Sequence, residues 1–316
     1  MTGSSIGELG EFALIDRITS RAVRADAVQL GVGDDAAVLR LAGDLAVSTD
    51  TMVEDVHFRR AWSSAHDVGR KAVAACVADA EAMGAVPKAV VISLALPSTT
   101  DIEWVDGFAD GVASEAERAC VALVGGDLTT AAVIVVTVTV LADQDGRAPL
   151  TRAGARAGDV VAMVGRLGWA AAGLAVLTRG FRSPAAVVTA HRVPEVPYGA
   201  GRIAADAGAT AMIDISDGLL ADLGHLCRAS AVAIDLDSSA FQIAEPQQAV
   251  AAAVGGGDPL VFQLTGGDDH ALVATFPTLD AVPAGWTVLG RVLPGEPVVL
   301  LDGVEPELDT QGWTHF

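Results

Sequence analysis

Aspartates recur in this 316-residue sequence where short apolar runs end. Carboxylates and hydroxyls stand together in Gly33-Asp34-Asp35 and in Ser48-Thr49-Asp50, and aspartates recur in later segments. The five Asp-bearing segments are marked by Asp34/Asp35, Asp50, Asp127, Asp214/Asp217 and Asp268/Asp269. Turns and caps favour Asp and Ser for local hydrogen bonding, which would explain one such segment. A whole series predicts a cation, because crowded carboxylates repel one another without one.

A sixth aspartate, Asp79, lies inside an apolar stretch that predicts a helix capped by Asp67 and ending near Ala82. A carboxylate among small apolar residues is costly unless it is paired or bound to a cation. Oxygen ligands without His or Cys suit several Mg²⁺ ions, which usually bind through a few carboxylates and substrate phosphates. The pattern therefore predicts metal-assisted phosphoryl transfer, in which catalysis is mostly positioning and charge neutralisation.

Two other features need an interpretation. His57 follows the Asp50 segment and could reach an anionic ligand, although a lone histidine in a loop is more often an ordinary surface residue. Residues 31–36 fit the dinucleotide pattern G-x-G-x-x-A, which should open a helix. The next predicted strand begins near Leu45 and leaves no room for that helix, so we reject dinucleotide binding.

Composition and charge narrow the function classes. The formal charge of −20 argues against nucleic acid and anionic membrane as partners, since both require a basic surface. An acidic protein that binds phosphates needs metal ions, because their positive charge reverses the negative electrostatic potential at the site. The only lysines, Lys71 and Lys88, do not follow a glycine, so the G-x-x-x-x-G-K-[ST] phosphate loop is absent.

The cysteines and the termini predict a cytoplasmic protein. Cys76, Cys120 and Cys227 are odd in number, far apart and set among apolar residues, which is typical of reduced, packed thiols and not of a zinc site. The N-terminus lacks the basic and apolar regions of a signal peptide. The longest apolar run, residues 131–142, is too short to span a membrane and predicts a strand.

Apolar periodicity predicts an α/β chain in two parts, with a linker at residues 151–159 and a boundary near residue 150. Predicted strands cover residues 45–47, 89–96, 121–124, 132–141, 160–164, 211–213, 232–236, 271–276, 286–292 and 297–301. Predicted helices cover residues 7–22, 67–82, 100–120, 169–178, 199–207 and 246–253, with a further one after Asp217 or Ser216. Residues 183–198 are expected to be irregular. Ligands of open α/β sheets bind at the carboxyl edge of the strands, where we expect the aspartates.

The motifs resemble a known family. In order along the chain stand GVGDDAAV, STDTMVEDVHF, Asp79 before AMGA, LVGGDLTT, LTRAGARAGD, DISDGL and LTGGDDH. This order is similar to that of bacterial thiamine-monophosphate kinases, from Gly7 to the terminal His-Phe. Several motifs are shared with aminoimidazole ribonucleotide synthetases, selenophosphate synthetases and hydrogenase maturation factors. STDTMVEDVHF, DISDGL and the C-terminal Gly-Trp-x-His-Phe resemble the thiamine enzyme specifically.

The resemblance implies a two-domain α/β (α+β) fold like that of aminoimidazole ribonucleotide synthetase. Residues 1–150 would bind ATP and Mg²⁺, and their sheet would pair with its twin across a homodimer. Residues 151–316 would form the C-terminal domain. The implied reaction is ATP-dependent phosphorylation of thiamine monophosphate to thiamine diphosphate, the last step of thiamine diphosphate biosynthesis. The acceptor phosphate has a second pKa of about 6 and is anionic at pH 7, so direct in-line transfer requires no general base.

Site residues follow from the same resemblance. The implied magnesium ligands are Asp35, Ser48, Thr49, Asp50, Asp79, Asp127, Asp214 and Asp217. ATP would be held by Gly126, Asp127, Arg152 and Ser216. The thiamine substrate would contact His57, Asp268 and Trp313. Of these residues, the catalytic set would be Asp50, Asp79, Asp217 and Arg152. The chain departs from the family pattern at residues 76–78, at Leu128, at Asp268 and at His270-Ala271.

Two alternatives share the implied fold. A selenophosphate synthetase should carry a reactive Cys and Lys in an N-terminal glycine-rich segment, and residues 1–30 contain neither. A non-catalytic, metal-dependent nucleotide-binding relative should have lost metal ligands, and here every expected one is present. The sequence therefore favours the kinase.

Overall fold

The computed structural model describes residue 6 and residues 11–21, 25–308 and 310–313. The chain divides into two compact units. Unit 1 comprises Met1–Ala80 and Ala85–Gly146, and unit 2 comprises Glu81–Gly84 and Arg147–Phe316. The terminal His-Phe and part of the predicted helix at 7–22 lie outside the described residues. The rest of that helix is α1 (Glu11–Thr19).

Unit 1 is built on a four-stranded sheet. Its strands are β3 (Leu45–Val53), β4 (Val86–Leu96), β5 (Ala122–Thr130) and β6 (Val135–Asp143), in the order β3-β6-β4-β5. Strand β6 is antiparallel to both neighbours, and β4 and β5 are parallel. Besides α1, unit 1 contains the helices α2 (Ala65–Ala82) and α3 (Ile102–Arg118). It also contains a small antiparallel pair of strands, β1 (Val28–Leu30) and β2 (Val38–Leu39), which was not predicted.

The two faces of this sheet differ in burial. Alternate β6 residues, Val136, Val138 and Val140, are almost fully buried on one face, and Cys76 of α2 contacts the Val138 carbonyl there. On the other face Leu45 and Val47 of β3 are 50% and 57% exposed. Val28 and Leu39 pack with Val91 and Leu141 on this face, whereas its β3 edge is exposed within the described residues.

Two predicted strand ends in unit 1 were wrong. Ser48, Thr49 and Asp50 lie inside β3, which pairs with β6 without interruption from Leu45↔Asp143 to Val53↔Val135. Residues 125–130 likewise lie inside β5, paired with β4 from Val91↔Gly125 to Leu96↔Thr130. Because backbone pairing on one side suffices for an edge strand, its polar side chains need not end it. The aspartates of β3 and β5 are therefore mid-strand residues of the two edge strands.

The start of α2 also differs from the prediction. Ser64 precedes the helix and its hydroxyl accepts the Asp67 N–H at 3.2 Å, while the Asp67 carboxylate accepts the Ser64 N–H at 3.0 Å. This reciprocal pair is a capping box. The cap is therefore Ser64, and Asp67 is the third residue of the helix.

Unit 2 contains a six-stranded sheet. The strands are β7 (Val160–Val164), β8 (Ala211–Asp214), β9 (Ala233–Leu236), β10 (Leu272–Phe276), β11 (Thr287–Leu293) and β12 (Val299–Leu301), ordered β12-β9-β11-β7-β10-β8. All neighbours are antiparallel except β12 and β9. The helices are α4 (Trp169–Leu177), α5 (Ala185–Arg192), α6 (Ala200–Asp206), α7 (Leu219–Ser230), α8 (Glu245–Ala253) and α9 (Leu260–Thr265).

The predicted apolar face of α7 is confirmed. Leu219, Leu223 and Leu226 are fully buried in one cluster with Ile213 of β8 and Val273 of β10. This packing fixes the start of α7 against the carboxyl end of β8. The described helices include none with both the length and the apolar character that crossing a membrane demands.

One helix of unit 2 contradicts the prediction of an irregular segment at 183–198, and α9 was not predicted. Helix α5 packs so closely on α4 that a Cβ at Gly173 would lie 2.1 Å from the Val187 carbonyl oxygen. Val187 and Val188 are buried there. A short helix that depends on such packing has little periodic signal of its own.

Candidate active site

Two carboxylates and a hydroxyl meet between β3 and α2 in unit 1. Side chains alternate along a strand, so Ser48 and Asp50 share the half-buried face. The Ser48 hydroxyl donates to Asp79 Oδ2 at 2.5 Å, and Asp79 lies in the last turns of α2. The helix and strand thus bring together three of the residues predicted to hold magnesium.

Cys76, one turn before Asp79, shows that both carboxylates are close. Burial raises the pKa of its thiol to about 12, and the negative charges of Asp79 and Asp50 add to the effect. The thiol donates to the Val138 carbonyl at 3.2 Å. Cys76 is therefore a packed, unreactive residue beside the acidic cluster.

Thr49 does not join this cluster through its side chain. It is exposed on the opposite face of β3, where its hydroxyl pairs with that of Thr139 at 2.9 Å. Asp127 lies on β5, the other edge strand of the sheet, in register with Ser93 of β4. The predicted metal ligands of unit 1 therefore do not all lie in one side-chain cluster.

Asp35, Gly126 and Asp127 border a pocket of about 590 Å³ that lies wholly in unit 1. Asp34 and Asp35 are exposed on the β1–β2 connection, and the Asp35 N–H donates to the Asp34 carboxylate at 2.9 Å. A Cβ at Gly126 would lie 2.1 Å from the Ile92 carbonyl oxygen, so that only glycine fits there. The lining of this pocket therefore includes both acidic side chains and the backbone of β5 at Gly126.

His57 is held in one orientation at the end of β3. The Val53 N–H donates to His57 Nδ1 at 3.0 Å, and the His57 N–H donates to the Val53 carbonyl at 2.9 Å. An Nδ1 that accepts a hydrogen bond places the proton of a neutral ring on Nε2. His57 can therefore act as a hydrogen-bond donor toward an anion.

In unit 2, two loops bring several predicted residues to the start of α7. The Asp268 N–H donates to the Ser216 carbonyl at 2.8 Å, and the His270 N–H donates to the Ile215 carbonyl at 2.9 Å. These bonds make neighbours of the 214–218 and 266–270 loops. Asp214, Ser216, Asp217 and Asp268 consequently lie in one loop cluster.

Asp222 anchors this cluster, although no sequence pattern marks it beyond its place in the first turn of α7. Its Oδ2 accepts the N–H groups of Ser216, Asp217 and Gly218, each at 3.0 Å. Helix α7 begins just after Asp217, as predicted, but Gly218 holds the cap position and Asp222 reaches back to the preceding backbone. Burial raises the pKa of Asp222 to about 7, opposed by the Gly218 N–H.

Two further buried contacts support the same loops. His270 Nδ1 lies 3.0 Å from Asp214 Oδ2 and orients that carboxylate. Asp269 accepts the N–H groups of Trp169 and Ala170 at 3.1 and 2.9 Å and so caps α4, while burial raises its pKa to about 7. Neither contact could be predicted from the sequence, because the partners are separated by between 56 and 100 residues along the chain.

Trp313 and Arg152 lie beside this cluster. The Trp313 N–H donates to the Asp217 carbonyl at 3.0 Å, and its ring borders a 380 Å³ pocket with Asp217, His225 and Arg228. The Arg152 carbonyl accepts the Ser230 hydroxyl at 2.8 Å. Burial lowers the pKa of His225, the charges of Arg228 and Arg152 lower it further, and Asp217 opposes them.

The donor set fits magnesium in its chemistry. Ser48, Asp50 and Asp79 in unit 1, and Asp214 and Asp217 in unit 2, offer only oxygen atoms. Within the described parts of the chain, no three or more His, Cys, Asp or Glu side chains converge as a metal site. Mg²⁺ is normally held by one or two carboxylates and completes its shell with water and phosphate oxygens, so sparse carboxylates suit it.

Comparison with known proteins identifies the class. The family model described as AIR synthase related protein, N-terminal domain, matches residues 33–142, and that of the C-terminal domain matches residues 156–274. The chain is 48% identical over 314 residues to thiamine-monophosphate kinase of Mycobacterium tuberculosis, covering 99% of this chain and 93% of that protein.

Solved structures of thiamine-monophosphate kinases are also similar to this chain. The crystal structure of thiamine-monophosphate kinase from Stenotrophomonas maltophilia has a TM-score of 0.81 and 33% identity, covering 94% of this chain and 98% of that one. The structure of AaThiL complexed with AMPPCP and TMP has a TM-score of 0.79 and 32% identity, with both chains fully covered. Fold and sites define a two-domain protein of the AIR synthase related class. Within that class, the chain belongs to the bacterial thiamine-monophosphate kinase family, which confirms the resemblance of its motifs.

Proposed function

We propose that this protein transfers the γ-phosphoryl group of ATP to thiamine monophosphate and so forms thiamine diphosphate and ADP. One observation carries the proposal: the similarity to thiamine-monophosphate kinases runs through both units. It therefore includes both the acidic cluster of unit 1 and the loop cluster of unit 2. The AaThiL structure, by its description, holds an ATP analogue and TMP.

In the proposed step, an oxygen of the thiamine monophosphate phosphate forms a bond to the γ-phosphorus. The bond from that phosphorus to the bridging oxygen breaks in line, and ADP leaves. The attacking phosphate is already anionic at pH 7, so no side chain has to remove a proton. The main difficulty is bringing two anions together.

The chain's own residues answer this difficulty by position and charge. Ser48, Asp50 and Asp79, and Asp214 and Asp217, would hold magnesium ions. When bound, these ions neutralise phosphate charge and orient the reacting groups. His270 keeps Asp214 oriented, and Asp222 holds the backbone of Ser216 and Asp217 in place. In this proposal Asp35 and Asp127 contribute to the metal set, while Thr49, whose side chain lies on the other face of β3, would do so only through its main chain.

Substrate contacts complete the proposal. Gly126, Arg152 and Ser216 would contact the ATP phosphates, and His57 would donate from Nε2 to the thiamine substrate. The exposed ring of Trp313 offers a face for the cationic thiazolium ring, which cation–π attraction would stabilise. Asp268, in the loop cluster, would contact the aminopyrimidine.

The test of the function is product formation by the purified protein. We expect thiamine diphosphate and ADP in equal amounts from thiamine monophosphate, ATP and Mg²⁺, and no product when EDTA removes the metal. ADP release without thiamine diphosphate would reject thiamine monophosphate as the acceptor. We also propose a cytoplasmic location, supported by the free thiols of Cys76, Cys120 and Cys227, which cell fractionation would test.

We further propose that the exposed side of β3 in the unit 1 sheet forms a homodimer interface. Leu45 and Val47 are exposed there beside paired threonine hydroxyls, and large exposed apolar side chains on an edge strand are typical of an interface. Val47→Glu should convert a dimer to a monomer and lower activity, because it places a charge in the interface. Light scattering after gel filtration measures the mass.

The matched control is Val304→Glu, since Val304 is 69% exposed and belongs to unit 2, which does not contain that sheet. It should leave the mass unchanged. A monomeric wild-type protein, or a V47E protein that keeps the dimer mass, would reject this interface.

A further inference from the structure

Lys71, on α2, is a buried cation outside the set of residues that would bind metal, ATP or thiamine monophosphate. The chain contains only two lysines, and this one is 3% exposed. Burying an ammonium group is costly unless hydrogen bonds compensate for its lost hydration. A lysine at this position therefore needs a structural or functional explanation.

A hydrogen bond joins this lysine to the residue proposed to contact the substrate. The Lys71 ammonium group donates to the His57 carbonyl at 3.3 Å. The His57 N–H donates to the Val53 carbonyl, and its Nδ1 accepts the Val53 N–H. His57 is therefore bonded to β3 through Val53 and to α2 through Lys71.

Residues 54–58, which we call the His57 turn, depend on such contacts. Asp55 has a φ of 66°, and its N–H donates to the Phe58 carbonyl at 2.8 Å. Val56 is 59% exposed, whereas Phe58 is 3% exposed. A turn with an exposed tip and a non-glycine residue at positive φ requires contacts from neighbouring elements to keep one conformation. Lys71 supplies one of these contacts.

We propose that Lys71 is a positioning residue for thiamine monophosphate, which orients His57 and does not itself touch the substrate. This inference rests on the proposed function, in which His57 donates from Nε2 to that substrate. A hydrogen bond from an ammonium group is stronger than one between neutral groups, so it fixes the carbonyl firmly. Because the ring is bonded to the backbone through Nδ1, a shift of the His57 turn also redirects Nε2.

Helix α2 would then position two parts of the site at once. Asp79 follows Lys71 by eight residues on this helix, which is about 12 Å along the axis. Asp79 accepts the Ser48 hydroxyl in the acidic cluster. One rigid element thus carries a predicted metal ligand and the cation that holds the His57 turn. This placement would keep the substrate contact at a constant distance from the metal ligand.

The first test is a double-mutant cycle between Lys71→Met and His57→Ala. Methionine keeps an unbranched side chain and removes both the donor and the charge. Lys88→Met is the matched control, since Lys88 is the other lysine and is half-buried on β4 of the same unit. For each protein, KM for both substrates, kcat and the dissociation constant of thiamine monophosphate are measured, with a thermal melt to verify folding.

We expect K71M to raise KM and the dissociation constant for thiamine monophosphate about 10-fold, the effect of losing one hydrogen bond to a charged group. KM for ATP and kcat at saturation should stay within about 2-fold, because only binding of the acceptor is weakened. In the H57A protein, K71M should change KM for thiamine monophosphate less than about 2-fold, because the lysine acts through that residue. K88M should match wild type.

A second measurement leaves Lys71 in place and decides the question if K71M does not fold. Protein labelled with 13C-lysine should give NMR signals from two ε-carbons, and the signal lost in K88M identifies the other as Lys71. Thiamine monophosphate should shift the Lys71 signal and leave that of Lys88 unchanged. H57A should abolish this shift. A Lys71 signal that does not respond to thiamine monophosphate would overturn the inference.

Failure of this inference and failure of the proposed function give different results. In an active enzyme, K71M and H57A effects that multiply would show that Lys71 does not act through His57. Equal rises in both KM values would identify a lysine that only supports the fold, and a fall in kcat alone would place it at the reacting groups. Each of these results overturns the inference alone. If the wild-type protein binds thiamine monophosphate but makes no thiamine diphosphate, the proposed function fails. Weaker binding by K71M that depends on His57 then still supports the positioning role.

Discussion

Asp50→Asn should lower kcat for thiamine diphosphate formation by about 10³-fold, while the melting temperature measured without magnesium stays the same or rises. Asp50 shares the half-buried side of β3 with Ser48, which is bonded to Asp79. Phosphoryl transfer depends on neutralised charge, so losing one carboxylate affects the rate. Without a cation, Asp50 and Asp79 repel each other, and asparagine removes that repulsion. Product formation at saturating substrates and a thermal melt measure both quantities.

Asp44→Asn is the matched control. Asp44 is an exposed aspartate just before β3, and its substitution removes the same charge from the same unit. It should leave kcat within about 2-fold and the melting temperature unchanged. If D50N kept kcat within about 10-fold of wild type, Asp50 would not belong to the catalytic set. A large fall in melting temperature would instead identify Asp50 as a structural residue.

The chemistry of this site could be predicted from the sequence because residue types and order carry it. Asp79 was recognisable as an expensive carboxylate inside an apolar helix, and the structure places it against Ser48 as a paired group. The periodic face of α7 predicted its burial, and this burial places Asp217 just before the start of that helix, three residues after β8. Both inferences depend on residue type and helical periodicity, which a single sequence displays.

Strand ends were harder to predict, because polar residues in an edge strand resemble a turn. The Ser48-Thr49-Asp50 segment resembles the end of a strand, although backbone pairing with β6 continues to Val53. Once the three residues lie inside a strand, alternation sends Thr49 to the opposite face from Ser48 and Asp50. The face on which each of these side chains lies can therefore be predicted only once the length of the strand is known.

The supporting contacts of unit 2 could not be predicted, because they join distant segments. Asp269 caps a helix about 100 residues earlier in the chain, and His270 meets Asp214 across 56 residues. No local pattern marks either partner. His270 was visible only as a departure from the family pattern, and its bond to Asp214 gives that departure a structural role.

Gly126→Ala should be severe, and its neighbour Gly125 should tolerate the same change. At Gly126 a Cβ would lie 2.1 Å from the Ile92 carbonyl oxygen, so alanine would force β4 and β5 apart. Overpacking of this kind costs about 1–3 kcal/mol of unfolding free energy. Because Gly126 also borders the pocket, kcat/KM for ATP should fall about 100-fold. Urea unfolding and initial rates measure the two effects.

The comparison with Gly125 separates two explanations of the paired glycines, namely close approach of a phosphate and close approach of a neighbouring strand. Within the described residues, a Cβ at Gly125 would meet nothing within 4 Å, so Gly125→Ala should change stability by less than about 0.5 kcal/mol. If G125A kept its stability but lost ATP affinity as strongly as G126A, the ligand would be what excludes a side chain there. Equal stability losses in both variants would contradict the packing argument. We expect neither, because the structure imposes a steric requirement at Gly126 and none at Gly125.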